Sequence, residues 1–139
     1  MRERAILDAG PLVDLLKKDE GDHAWAIALM SDIPPPYYTC EAVLTEASHL
    51  VRRLAGGPQR VLDLVSRGVI IVHFRLQDEA GPVHELMRRY ADVPMSLADA
   101  CLVRMAEQHE DSVIITTDSD FRIYRRNGRH AIPLLTPQR

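Results

Sequence analysis

Apolar positions along this chain follow two rhythms, short unbroken runs and longer stretches with a helical repeat. Ala5-Ile6-Leu7 is an unbroken run closed by Asp8-Ala9-Gly10, the mark of a buried strand. Val69-Ile70-Ile71-Val72 is β-branched throughout and reads as the clearest central strand. Val113-Ile114-Ile115 is another strand, and Tyr37-Tyr38-Thr39 forms a brief one after the stop at Ile33-Pro34-Pro35-Pro36. Residues 131–135 give a weaker last strand, and Pro133 places it at a sheet edge because proline cannot donate to a ladder.

Between these runs the period is helical. Pro11 suits the first turn of a helix over 11–18, and a second helix covers 23–30. Residues 41–54 carry Val43, Ala47, Leu50 and Leu54 on one face, and Gly56-Gly57-Pro58 ends that helix. A short helix follows over 58–67, with Gly68 as its stop. Residues 76–90 are helical, with Gly81-Pro82 as a point where the helix kinks or splits. Helices over 96–110 and 119–126 complete the set, the last stopped by Asn127-Gly128. Strands alternating with helices predict an α/β fold, a parallel sheet covered by helices on both faces. With 139 residues, no repeat and no low-complexity stretch, one domain over 1–139 is expected.

Composition narrows the classes. Apolar residues make up 46% and charged residues 27%, as in ordinary globular proteins. The net charge of −3 excludes a wholesale electrostatic nucleic-acid binder, so any such contact must be local or supplied by cations. Cys40 and Cys101 lie in apolar stretches and read as buried free thiols of a reducing compartment. The start, Met1-Arg2-Glu3-Arg4, has no signal-peptide pattern, and no run reaches the length of a membrane span. A cytoplasmic protein with no membrane contact is expected.

Most of the twenty acidic residues lie in polar company and need no explanation. Four do not. Asp8 closes the first strand, where ligands of open parallel sheets bind; a helix-capping aspartate would sit there too. Glu46 falls near the edge of its helix's apolar stripe, where a glutamate reaches either water or a site. Asp99 stands in Leu97-Ala98-Asp99-Ala100-Cys101-Leu102-Val103, apolar nearly all round, so its carboxylate must be paired, protonated or bound to metal. Ser96-Leu97-Ala98-Asp99 also has the form of a capping box, which is compatible with a site role. Asp118 follows the strand through Thr117 and is either an N-cap or a crevice residue, with Asp120 two positions on. Clustered carboxylates repel one another, so a fold that gathers them needs a cation, and all-oxygen ligands suit Mg²⁺ or Mn²⁺ rather than zinc. The six histidines are scattered with no zinc spacing and read as surface or satisfied core residues, and GxGxxG, P-loop and GxSxG patterns are absent.

Taken in order, Ile6-Leu7-Asp8-Ala9-Gly10-Pro11-Leu12-Val13, Ala42-Val43-Leu44-Thr45-Glu46-Ala47, Ser96-Leu97-Ala98-Asp99-Ala100 and Thr116-Thr117-Asp118-Ser119-Asp120-Phe121 resemble the PIN-domain ribonucleases. The length is most similar to the VapC-type toxins of toxin–antitoxin pairs. The resemblance covers essentially the whole chain. It implies an α/β/α sandwich with a central parallel sheet of about five strands and an acidic pocket for one or two divalent cations. It also implies endonucleolytic RNA cleavage, a homodimer and a cognate antitoxin. By position, Asp8, Glu46, Asp99 and Asp118 match the family's catalytic, metal-binding acids, and Asp120 a more variable supporting one. Many relatives carry a hydroxyl soon after the first aspartate. Ala9-Gly10-Pro11 supplies none, and Thr117 and Ser119 are the candidates to compensate.

The expected chemistry is hydrolysis by a water acidified by the metal. Arg122, Arg125, Arg126 and Arg129 form the one dense basic cluster and either grip the RNA backbone or make a solvated face. A phospho-receiver domain would need paired acids after the first strand and a late lysine, and a haloacid-dehalogenase-like phosphatase would need Asp-x-Asp there; neither occurs. Glu20-x-x-His23 and Glu46-x-x-His49 would suit a di-iron bundle, which the strands oppose. The alternative that stands is a PIN fold kept for RNA or protein binding, with weak or no catalysis.

Overall fold

The computed structural model describes residues 3–137, so the Met1-Arg2 start read above lies outside the described residues. A five-stranded parallel sheet has the order β3-β2-β1-β4-β7. Its strands are β1 (Arg4–Leu7), β2 (Tyr37–Tyr38), β3 (Ile70–Ile71), β4 (Ser112–Ile115) and β7 (Leu134–Leu135). Central β1 pairs in register with β4, Leu7 opposite Ile115, and with β2, Ile6 opposite Tyr38. Six helices flank the sheet among the described residues: α1 (Ala9–Leu16), α2 (His23–Asp32), α3 (Glu41–Leu50), α4 (Gly57–Ser66), α5 (Leu76–Arg89) and α6 (Leu97–Gln108). This is the expected α/β/α architecture. Its core joins Ile6, Leu12, Val43, Leu102, Ile114 and Ile115, all essentially buried, each worth roughly 1.5–3 kcal/mol of burial.

Several local expectations are corrected. The β-branched run at 69–72 is an edge strand, not a central one; β-branching reports burial under a covering helix, here α4, and says nothing of rank within the sheet. The helix read over 41–54 stops at Leu50, and Gly57 packs closely against the turn that follows. A Cβ at Gly57 would lie 2.0 Å from the Val51 carbonyl oxygen. The helix read over 76–90 neither splits nor stops at Pro82 and runs as one element, α5.

The helix read over 119–126 is instead a single 3₁₀ turn, Ser119–Arg122, followed by a hairpin. β5 (Arg125–Arg126) pairs antiparallel with β6 (His130–Ala131). Asn127 and Gly128 turn the chain with φ of 55° and 82°, the left-handed geometry this dipeptide favours, rather than ending a helix. The hairpin takes Ala131 out of the strand read over 131–135. What remains, β7, lies at the edge as Pro133 requires.

Candidate metal centre

Asp8 is placed by the strand that precedes it and the helix that follows. β1 ends at Leu7, and Asp8 becomes the N-cap of α1, its Oδ1 accepting from the Ala9 amide at 2.7 Å. The other oxygen accepts from the Thr116 hydroxyl at 2.6 Å. Thr116 extends β4 beside β1, and its hydroxyl also accepts from the Asp118 amide at 3.0 Å, so one buried threonine ties the ends of the two central strands together. The capping and crevice readings of Asp8 thus describe one side chain. It is only 7% exposed, and burial pushes its carboxyl up to about 6. Thr116 and the Ala9 amide pull the other way, while Asp99 and Glu46 push further up.

Asp99 sits in the first turn of α6. The Ser96 hydroxyl accepts from the Asp99 amide at 3.0 Å, the capping box read from sequence. The carboxylate is half-buried rather than enclosed, at the first turn of α6. The Tyr124 hydroxyl donates to its Oδ2 at 2.9 Å. Burial raises the Asp99 carboxyl, Tyr124 and Ser96 lower it, and Asp118 raises it.

Asp118 caps the 3₁₀ turn, its Oδ1 accepting from the Asp120 amide at 2.9 Å. Glu46 lies on α3, exposed at the rim, and partial burial, Asp99 and Asp118 raise its carboxyl. The four acids form one coupled set: Asp8 feels Asp99 and Glu46, and Asp118 acts on both Glu46 and Asp99. No ion pair reaches any of the four among the described residues. The charges of Asp120 and Asp118 both raise the Tyr124 hydroxyl, after burial and Asp99.

Four mutually repelling carboxylates make an all-oxygen donor set of the kind hard divalent cations take. Among the described residues no three acidic, histidine or cysteine side chains close tightly enough to clasp an ion unaided. An all-oxygen set of this kind suits a hard divalent cation that keeps water in its shell.

Two residues of this centre have no role in the motif reading. Thr116 stands in the quoted Thr116-Thr117-Asp118 but looks like an ordinary strand residue. Tyr124 carries no sequence signal at all. Its ring is fully buried, edge-on to Phe121 and Tyr90, at centroid distances of 5.2 and 5.1 Å.

The histidines serve locally, His23 with the Asp14 carbonyl and His109 with Arg4. Cys40 and Cys101 are free and buried, and the neighbouring Cys101 and burial push the Cys40 thiol up. Among the described residues no helix is long and apolar enough to cross a membrane.

Comparison with known proteins adds to this geometry. No curated protein matches the chain. Among solved structures, VapC20 of Mycobacterium tuberculosis, described as a sarcin-ricin loop cleaving toxin, aligns with a TM-score of 0.76 at 20% identity, over 93% of this chain and 99% of that one. A toxin–antitoxin complex from Klebsiella pneumoniae aligns at 0.66 and 22% identity, covering 96% of this chain and 98% of that one. VapBC2 from Rickettsia felis, bound to a DNA fragment from their promoter, aligns at 0.63 and 17%, with the same coverages of 96% and 98%. At such identities the likeness shows the fold, shared with VapC structures. The sequence profile of the PIN domain matches residues 5–127, nearly the whole of the chain that carries the sheet and all four acids, and the chain belongs to the PIN domain family.

Proposed function

We propose that this chain is a divalent-cation-dependent endoribonuclease, the toxin of a VapBC-type toxin–antitoxin pair. The observation that carries the reading is the coupled set of Asp8, Glu46, Asp99 and Asp118 at the carboxyl ends of β1 and β4 in a PIN fold. The neighbours described as a sarcin-ricin loop cleaving toxin and as toxin–antitoxin complexes support it, as does the all-oxygen donor set.

Asp8, Asp99, Asp118 and Glu46 would hold Mg²⁺ or Mn²⁺, with Asp120 in support. Bound there, the ion supplies positive charge that acidifies water and offsets the negative charge building on the phosphoryl oxygens. The protein's own part is orientation. Thr116 and the Ala9 amide fix both oxygens of Asp8, and Tyr124 fixes one oxygen of Asp99. Glu46, open to solvent at the rim, is the carboxylate suited to take a proton from the attacking water. An antitoxin and a second copy of the chain are the protein partners this reading expects.

Cleavage of single-stranded RNA by purified protein with Mg²⁺ or Mn²⁺, abolished by EDTA and by Asp99→Asn, is the expected result. Retained cleavage in Asp99→Asn removes the acidic set from the chemistry. Cation and RNA binding with no cleavage under either ion supports the second reading, a PIN fold kept for binding.

A further inference from the structure

The four arginines of 122–129 look alike in sequence and differ in the fold. Arg125 turns Nη1 back onto the carbonyls of Arg122, Ile123 and Tyr124, at 2.7, 3.3 and 3.0 Å. Arg126 donates to the carbonyls of Ala106 and Glu110 near the end of α6, at 3.4 and 3.0 Å. Both are occupied in holding the hairpin. Arg129 is exposed on the hairpin turn. The Arg122 guanidinium has no hydrogen bond or ion pair among the described residues, and it lines a cleft of about 130 Å³.

That cleft lies where β4 and β7 run out side by side, Ile115 opposite Leu135. Thr117, Asp118 and Ser119 form one wall with Arg122, and Thr136 and Pro137 form the other. Arg122 and the hydroxyl residues Thr117, Ser119 and Thr136 line this small space together with the Asp118 carboxylate, and no aromatic residue does among the described residues. The guanidinium and the hydroxyls are donor chemistry for the oxygens of a phosphate. Asp118 belongs both to this cleft and to the acidic set, so the two sites share a wall. Thr117 is held there by close packing, since its Oγ1 lies 2.3 Å from where a Cβ at Gly10 would be.

We propose that the cleft of Thr117, Ser119, Arg122 and Thr136 is a subsite for a backbone phosphate of the RNA strand, next to the phosphodiester at the acidic centre. The inference rests on the ribonuclease reading above. It separates positioning from chemistry: Arg122 grips the strand, and the carboxylates act on it.

The test compares wild type with Arg122→Gln, Thr136→Val and Arg129→Gln. Binding of a fluorescently labelled single-stranded RNA is measured by anisotropy with Ca²⁺ in place of Mg²⁺ and at several salt concentrations. Cleavage is measured with Mg²⁺. For Arg122→Gln the expected result is a Kd and KM raised about 5- to 10-fold with kcat within about twofold, the mark of lost uniform binding. The slope of log Kd against log salt falls by about 0.7, one phosphate contact on a single strand. Thr136→Val raises KM about twofold, and Arg129→Gln changes neither KM nor slope. An Arg122→Gln protein indistinguishable from Arg129→Gln in both measurements, while wild type cleaves, overturns the subsite and leaves the ribonuclease reading intact. Wild-type protein that cleaves no RNA under Mg²⁺ or Mn²⁺ overturns that reading, and the subsite with it.

Discussion

At the amino-terminal end of the sheet, Arg4 lays its guanidinium 4.0 Å above the Tyr38 ring and meets His109 Nε2 at 2.7 Å. At the carboxyl-terminal end, Asp8, Glu46, Asp99 and Asp118 crowd together with no cationic side chain paired to any of them among the described residues. One end satisfies its charge within the protein: the Tyr38 ring receives the cation, and burial and Arg4 hold His109 below its ordinary pKa, so that it accepts. The other end leaves like charges acting on one another, which raises the carboxyls and costs stability. The contrast is between a charge whose partners the fold supplies and a set of like charges that act on one another.

The sharpest way to break the contrast is to neutralise one acid. Asp8→Asn is expected to lower RNA cleavage by more than about 100-fold, the scale of losing a charge-stabilising group. The same change removes a buried carboxylate, so melting in EDTA at pH 7 shifts upward by the equivalent of about 1–3 kcal/mol. An ordinary structural acid would give a fall in both measurements.

The second prediction is a pH profile. Burial holds the folded Asp8 carboxyl at about 6 against its ordinary 3.8, so between these values the native state binds more protons than the unfolded one. Stability in EDTA therefore falls as pH rises from about 4 to 6 and is lowest above 6, a difference of roughly 3 kcal/mol at 1.36 kcal/mol per pKa unit. Glu46 and Asp99 act in the same direction. Saturating Mg²⁺ should flatten the curve by stabilising the charged native form. A Tm that is level from pH 4.5 to 7.5 in EDTA would contradict the description of this end as unsatisfied.

Tyr124→Phe keeps the buried ring and removes only the hydroxyl that holds Asp99. Metal affinity, read from the Mg²⁺ dependence of Tm, is expected to weaken about 10-fold, as for other residues that orient a ligand. The smallest effect belongs to the opposite end. Arg4→Gln should lower stability by about 0.5–1 kcal/mol in urea melts and leave RNA cleavage unchanged.

How far the sequence discloses these two ends follows from the range of the forces involved. The Ser96–Asp99 capping box spans one helical turn and is legible because both partners are local. Asp8 and Asp118 are legible because each ends an apolar run. That α3 carries Glu46 to the same place depends on the crossover of a parallel sheet, and only the resemblance of the ordered motifs implied it. The Tyr124–Asp99 and Thr116–Asp8 bonds join positions far apart in the chain, and nothing local distinguishes those hydroxyls from ordinary core residues. The 119–126 segment reads as a helix with Asn127-Gly128 as its stop. The structure pairs its last two residues with 130–131 instead, which a local period cannot register. The rank of β3 was hidden for the same reason.

The close approach of Gly10 to Thr117 has a practical corollary for redesign. The two positions behave as one unit of volume shared across the crevice, so a methyl added at 10 must be matched by an atom removed at 117. Gly10→Ser alone would wedge α1 away from the end of β4. Paired with Thr117→Ala, it would move the hydroxyl from one wall of the crevice to the other while keeping the space filled.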